Sequence, residues 1–207
     1  MEAVTLALLL GAASGWLTPV LLRWCPTPDG AGAPFAALAT IRFRWLVAAT
    51  AVAAGLVVFT TVPVPYWAAW APLVGLGALL AWVDAATGYL PLRLTWLGTG
   101  ASMAGAGVAA VWQQTWSPLL TAAGSGLLAA GFFWLLWRAS GGQLGFGDVR
   151  LAGFIGAAVG AAGLVPAWQA LLLGALAGAG WGLVVRWRRG ADGAFPYGPA
   201  LLLGPLG

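Results

Sequence analysis

Residues 67–84 read WAAWAPLVGLGALLAWVD. The run is apolar throughout and stops at a carboxylate, Asp84. Crossing the hydrocarbon core of a bilayer takes about 20 predominantly apolar residues. The stretch therefore reads as a membrane span, Trp67 to Val83, with Asp84 opening the loop Ala85 to Pro91. Similar runs lie on both sides of it. Before it come Ala3 to Leu22 and Trp45 to Val62. After it come Leu94 to Trp112, Pro118 to Trp137, Val149 to Val165 with a break at Pro166, and Ala167 to Val185. Pro63 and Pro65 mark a tight turn, Gln113 to Ser117 a short polar break, and Phe35 to Arg42 a partly helical piece of the first loop. Phe195 to Gly207 is apolar again but too short to cross. The expected fold is all-α: a polytopic transmembrane bundle of about seven spans plus a short C-terminal apolar segment, forming one domain over residues 1–207.

Composition supports that class. Of 207 residues, 61% are hydrophobic and 7% charged, and the mean hydropathy is +0.92. A soluble domain carries roughly 25% charged residues. The N-terminus lacks a basic region and its apolar run is long, so the first span is read as uncleaved. All nine basic residues are arginines. They fall after the first, third, fifth and seventh runs: Arg23, Arg42, Arg44, Arg93, Arg138, Arg150, Arg186, Arg188 and Arg189. By the positive-inside rule those loops face the cytoplasm and the N-terminus lies outside. The formal charge of +4 is thus a topology signal, and no nucleic-acid partner is expected. Trp24, Trp45, Trp67, Trp112, Trp116, Trp137 and Trp187 sit near span ends, as an interfacial belt would. Gly156 and Gly160, and Gly174, Gly178 and Gly182, recur at helical spacing. Small residues so placed let helices approach closely. Their expected use is packing within the chain, with a homodimer face as the weaker alternative.

Histidine is absent and Cys25 is the lone cysteine. That removes an internal disulfide, a Cys/His metal site and any Ser-His-Asp or Cys-His arrangement. The carboxylates remain as general acid and base. Glu2 is terminal, and Asp29 and Asp192 sit in polar loops. Asp84 and Asp148 differ: each lies where a polar loop meets an apolar run, at the same expected face. An ionisable group there is costly and seldom idle. Two close carboxylates cannot both ionise cheaply, so one holds a proton. One then acts as base toward water and the other as acid toward a carbonyl.

Asp148 ends Gly145-Phe146-Gly147-Asp148, a Gly-x-Gly-Asp sequence. Gly145 and Gly147 keep side chains away from the carboxylate, so a substrate backbone can come close. Gly88 and Pro91 turn the chain after Asp84, and Thr87 is placed to bond Asp84 or to cap the next helix. Gly145, Gly147 and Pro91 are the candidate substrate-binding positions. Arg150 is read as a topology determinant, with lipid phosphate or substrate as the alternative contact.

Three segments in order resemble the type IV prepilin peptidases, a membrane aspartyl class. They are Val83-Asp84-Ala85-Ala86-Thr87-Gly88-Tyr89-Leu90-Pro91-Leu92-Arg93-Leu94-Thr95, then Gly145-Phe146-Gly147-Asp148-Val149-Arg150-Leu151, then Phe195-Pro196-Tyr197-Gly198-Pro199-Ala200. The resemblance implies Asp84 and Asp148 as the catalytic pair. It implies removal of the short basic leader of a prepilin or pseudopilin precursor, after a glycine, at the cytoplasmic face of the bacterial inner membrane. The bifunctional members carry a Cys-x-x-Cys zinc loop and an Asn-bearing N-terminal motif for methyl transfer. Neither is recognisable here, so no metal or cofactor is expected and methyl transfer is not carried over. Leu92 stands where the family usually has Asp or Asn, and Arg150 where it has Lys. The last helix of the family is expected to be cut short at Gly207. The alternatives are a presenilin-like intramembrane protease, a small proton- or cation-coupled transporter, and a catalytically silent homologue.

Overall fold

A computed structural model describes residues 1–29, 34–141, 144–189 and 196–207. Gln143, Asp192 and Phe195 lie outside the described residues. Among the described residues the chain forms the helices α1 (Glu2–Trp24), α2 (Ile41–Thr61), α3 (Trp67–Thr87), α4 (Leu92–Trp112), α5 (Ser117–Ala139), α6 (Phe146–Gly160), α7 (Leu164–Arg189) and α8 (Gly198–Leu203). Short 3-10 turns cover Phe35–Leu38, Val64–Tyr66 and Gly204–Leu206. Among the described residues there is no strand. Six helices are long and apolar enough to cross a membrane. The chain is an all-α membrane bundle.

The sixth expected span, around Val149 to Val165, is a different kind of element. The helix there starts earlier, at Phe146, and ends at Gly160. At 1.5 Å per residue its 15 residues reach about 22 Å, short of the roughly 30 Å core. It need not match the bilayer because it is enclosed: α6 packs against α3, α4, α5, α7 and α8. Leu151, Ala152, Phe154 and every residue from Ile155 to Gly160 are buried. Pro166 does not break this helix. The break falls at Gly163, whose φ of +133° is open to glycine, and Pro166 lies in the first turn of α7, where a missing N–H costs nothing.

Small residues set the helix spacing. A Cβ on Gly156 would stand 2.6 Å from the Ser125 carbonyl oxygen, and one on Gly160 would meet Ser125 Cβ at 2.5 Å. The α5–α6 seam is therefore backbone against backbone, where van der Waals contact and not the hydrophobic effect holds helices together in lipid. Gly174 is pressed in the same way against Leu201 of α8. Gly11 and Gly15 of α1 meet Val52 and Ala48 of α2, and Gly55 of α2 meets Ala7, an antiparallel register. These glycines face other helices of the same chain.

The helix ends run past the sequence-based limits where polar groups find partners. α2 begins at Ile41, capped by the Thr40 hydroxyl, which accepts from Phe43 N–H at 3.3 Å. Arg42 and Arg44 thus lie inside α2, and Arg44 Nε donates to the Gly15 carbonyl at 3.0 Å. Arg93, at the start of α4, stacks over Trp24 at 5.4 Å and donates to the Trp24 carbonyl. Trp45, Trp112, Trp116 and Trp187 are exposed near helix ends. Trp67 is instead fixed in the α2–α3 turn, donating to the Val62 carbonyl at 2.8 Å.

Cys25 closes α1 and is 5% exposed. Burial pushes its thiol above the usual cysteine range, and the nearby Arg93 charge offsets part of that rise. The thiolate is the reactive form. Maleimide labelling of folded protein at pH 7 is therefore expected to be slow, to quicken as pH rises, and to slow further in Arg93→Ala. Labelling as fast as in denaturant would contradict this placement.

Candidate active site at the ends of α3 and α6

Asp84 sits in the last turn of α3. It does not end the helix, as the hydropathy break suggests: Ala85 and Ala86 carry the helix on, and Thr87 closes it. Gly88 then takes the left-handed conformation, φ +70°, and donates its N–H to the Asp84 carbonyl at 2.7 Å. This is the usual glycine stop signal of a helix. Thr87 neither bonds the Asp84 side chain nor caps α4. Its hydroxyl donates to the Val83 carbonyl at 2.7 Å and accepts from Tyr89 N–H at 3.2 Å, which folds the turn back on the helix.

Asp148 is the third residue of α6, behind the N-cap Gly145. A negative charge in a first turn is favoured by the helix dipole. An added Cβ on Gly145 would lie 3.2 Å from Asp148 Oδ2, so the glycine keeps that side of the carboxylate clear. Gly147 has another neighbour: a Cβ there would meet Leu90 Cβ at 3.0 Å. Its lack of a side chain lets α6 close on the α3–α4 turn.

Both carboxylates are largely withdrawn from solvent, Asp84 at 4% and Asp148 at 7% exposure. Both line one cavity of about 900 Å³, walled by residues 84–90, 144–148, Arg150, Pro196 and Tyr197. Gly145 and Gly147 are on its wall. Pro91 is not: it is buried at the start of α4, where its carbonyl accepts from Leu94 and Thr95 N–H, each at 3.2 Å. Glu2 and Asp29 are exposed and do not line the cavity. Among the described residues no three His, Cys, Asp or Glu side chains converge as a metal site.

The C-terminal segment supplies what residue-by-residue reading did not assign. Gly198, at the start of α8, donates its N–H to Asp84 Oδ2 at 2.9 Å, across 114 positions of sequence. An added Cβ there would stand 2.8 Å from the same oxygen. Tyr197 lines the cavity and donates its hydroxyl to the Ala175 carbonyl of α7 at 3.2 Å. Burial, and then the Asp148 charge, push the Tyr197 hydroxyl above its ordinary range. The signal in the sequence is the Pro-Tyr-Gly-Pro run, which pins the backbone at both ends of Gly198.

Two buried carboxylates on one cavity, one of them held by the Gly198 N–H, can polarise a carbonyl and activate a water together. Comparison of the chain with family models, with curated proteins and with solved structures gives no match in any of the three.

Proposed function

We propose that the chain is a membrane aspartyl endopeptidase of the prepilin peptidase type. Its substrate is a prepilin or pseudopilin precursor, cleaved at the cytoplasmic face of the bacterial inner membrane. The observation that carries the reading is the pair Asp84 and Asp148, buried on the wall of one cavity. In the reaction one carboxylate takes a proton from water as its oxygen bonds to the scissile carbonyl carbon. The other, protonated, gives its proton to the carbonyl oxygen. The tetrahedral diol then collapses: the C–N bond breaks, the leaving nitrogen gains a proton, and a carboxylic acid is left. The two groups titrate as a pair, so neither is assigned a fixed role. The arginine partition supports an outside N-terminus and a site facing the cytoplasm.

A transporter would more often hold its charges near the middle of the membrane. Asp84 and Asp148 instead occupy a last and a first helical turn. The test is leader cleavage: the chain is co-expressed with prepilins whose leaders end in glycine, and the size of the pilin is followed. A shift to the mature size is expected. Folded protein in the membrane with no cleavage of any prepilin would move the transporter reading ahead.

A further inference from the structure

A second cavity, about 710 Å³, runs between α4, α5 and α6. Its floor is made of small residues, among them Ala122, Gly126, Gly153 and Ala157. Its rim carries the exposed apolar side chains Leu92, Trp96 and Leu127, so it opens on the outside of the bundle. One charge lies on it. Arg150 borders this groove and the carboxylate cavity alike, and its guanidinium sits 5.8 Å over the Phe146 ring, which packs edge-on against Trp137 at 5.2 Å. Arg150 Nε is buried without a hydrogen-bond partner, and among the described residues no carboxylate pairs with the guanidinium.

A cation drawn into a bundle without a counter-ion is costly, and such a group in a membrane protein is normally paired. The missing partner must bring negative charge to the carboxylate end of the groove and apolar chain to the rest. The groove opens on the outside of an all-α membrane bundle, where the surrounding lipid supplies both, a hydrocarbon chain for the apolar lining and a headgroup anion for Arg150. We propose that this groove is a binding site for one anionic phospholipid, with its phosphate on the terminal nitrogens of Arg150 and an acyl chain along Gly126 and Gly153. Arg–phosphate contacts are charge-assisted and bidentate, and an Arg over an aromatic ring at a helix end is the arrangement expected at the headgroup level. The lipid would border the carboxylate cavity through Phe146 and Arg150, and so form part of its mouth.

The test is native mass spectrometry of the full chain in detergent, titrated with phosphatidylglycerol and, separately, phosphatidylcholine. One tightly retained phosphatidylglycerol is expected. Arg150→Gln should weaken its retention about fivefold, the contribution of one basic contact to an anionic headgroup, and Arg150→Lys should recover part of it. Ala123→Phe, which fills the groove from α5, should remove retention of the acyl chain. Thermal unfolding of each variant in the same detergent checks that it is folded. If Ala123→Phe does not fold, the Gln and Lys pair decides alone. Equal retention by wild type and Arg150→Gln overturns the proposal. So does an absence of retained lipid, including the case where a photo-crosslinker at position 123 captures a second copy of the chain and marks the groove as a helix interface.

Discussion

Asp84→Asn and Asp148→Asn are each expected to abolish the proposed leader cleavage while leaving the protein folded in the membrane. A general acid or base contributes about 10²–10⁴-fold, and in the proposed reaction each carboxylate serves in both steps, so the loss should reach at least the upper part of that range. Asparagine keeps the shape of aspartate at positions 4% and 7% exposed. In Asp84→Asn the new amide oxygen can still accept from Gly198 N–H, as Asp84 Oδ2 does at 2.9 Å. Removing a buried charge also removes its desolvation cost, so neither variant should unfold at a lower temperature than wild type. If the carboxylates act as one unit, as proposed, the double variant should be no slower than either single one. Retained cleavage in either single variant would sink the assignment. Loss of cleavage together with loss of protein from the membrane would instead mark the residue as structural.

Gly198→Ala is expected to cut cleavage about 100-fold, the scale of a 1 Å misplacement of a catalytic group, with little effect on abundance. The new Cβ would stand 2.8 Å from Asp84 Oδ2, 3.2 Å from its Cγ and 3.4 Å from Leu151 Cδ2. Leu151 is fully buried on α6, so the carboxylate or α8 must give way. The N–H that Asp84 accepts is still present in alanine, so the effect reports position and not a lost donor. Gly124→Ala is the matched control, since a Cβ there meets nothing within 4 Å. A Gly198→Ala protein as active as the control would show that the contact of α8 with Asp84 does not hold the site.

Hydropathy and punctuation specify much of this molecule locally. Each long apolar run must be helical to satisfy its own backbone in lipid, so α1 to α5 and α7 are legible within a few residues. Asp84 and Asp148 stand out for the same reason: a carboxylate at the edge of an apolar run is visible as an exception. The limits fail where local bonding outlasts the hydropathy. α3 carries on one turn past Val83 to the Gly88 stop, and α6 takes in Phe146 to Asp148 because Gly145 serves as its N-cap.

Other features depend on which helices meet, and no periodicity encodes that. Apolar α6 reads as a span like the rest. Only packing on five neighbours shows a short core helix, free of the length that lipid would demand. Pro91 sits seven residues after Asp84, yet the fold turns it into the buried start of α4 and away from the cavity. Gly198 lies 114 residues from Asp84 and supplies its hydrogen bond, because α8 returns to the same end of the bundle. Arg150 carries the positive charge that topology expects, but its place between two cavities follows from the rotation of α6 against α4 and α5. Helix positions and the two exceptional carboxylates were thus written in local composition, because lipid acts on each apolar run separately. The surroundings of those carboxylates were not, because close approach in space is set by helix packing and bears no relation to distance along the chain.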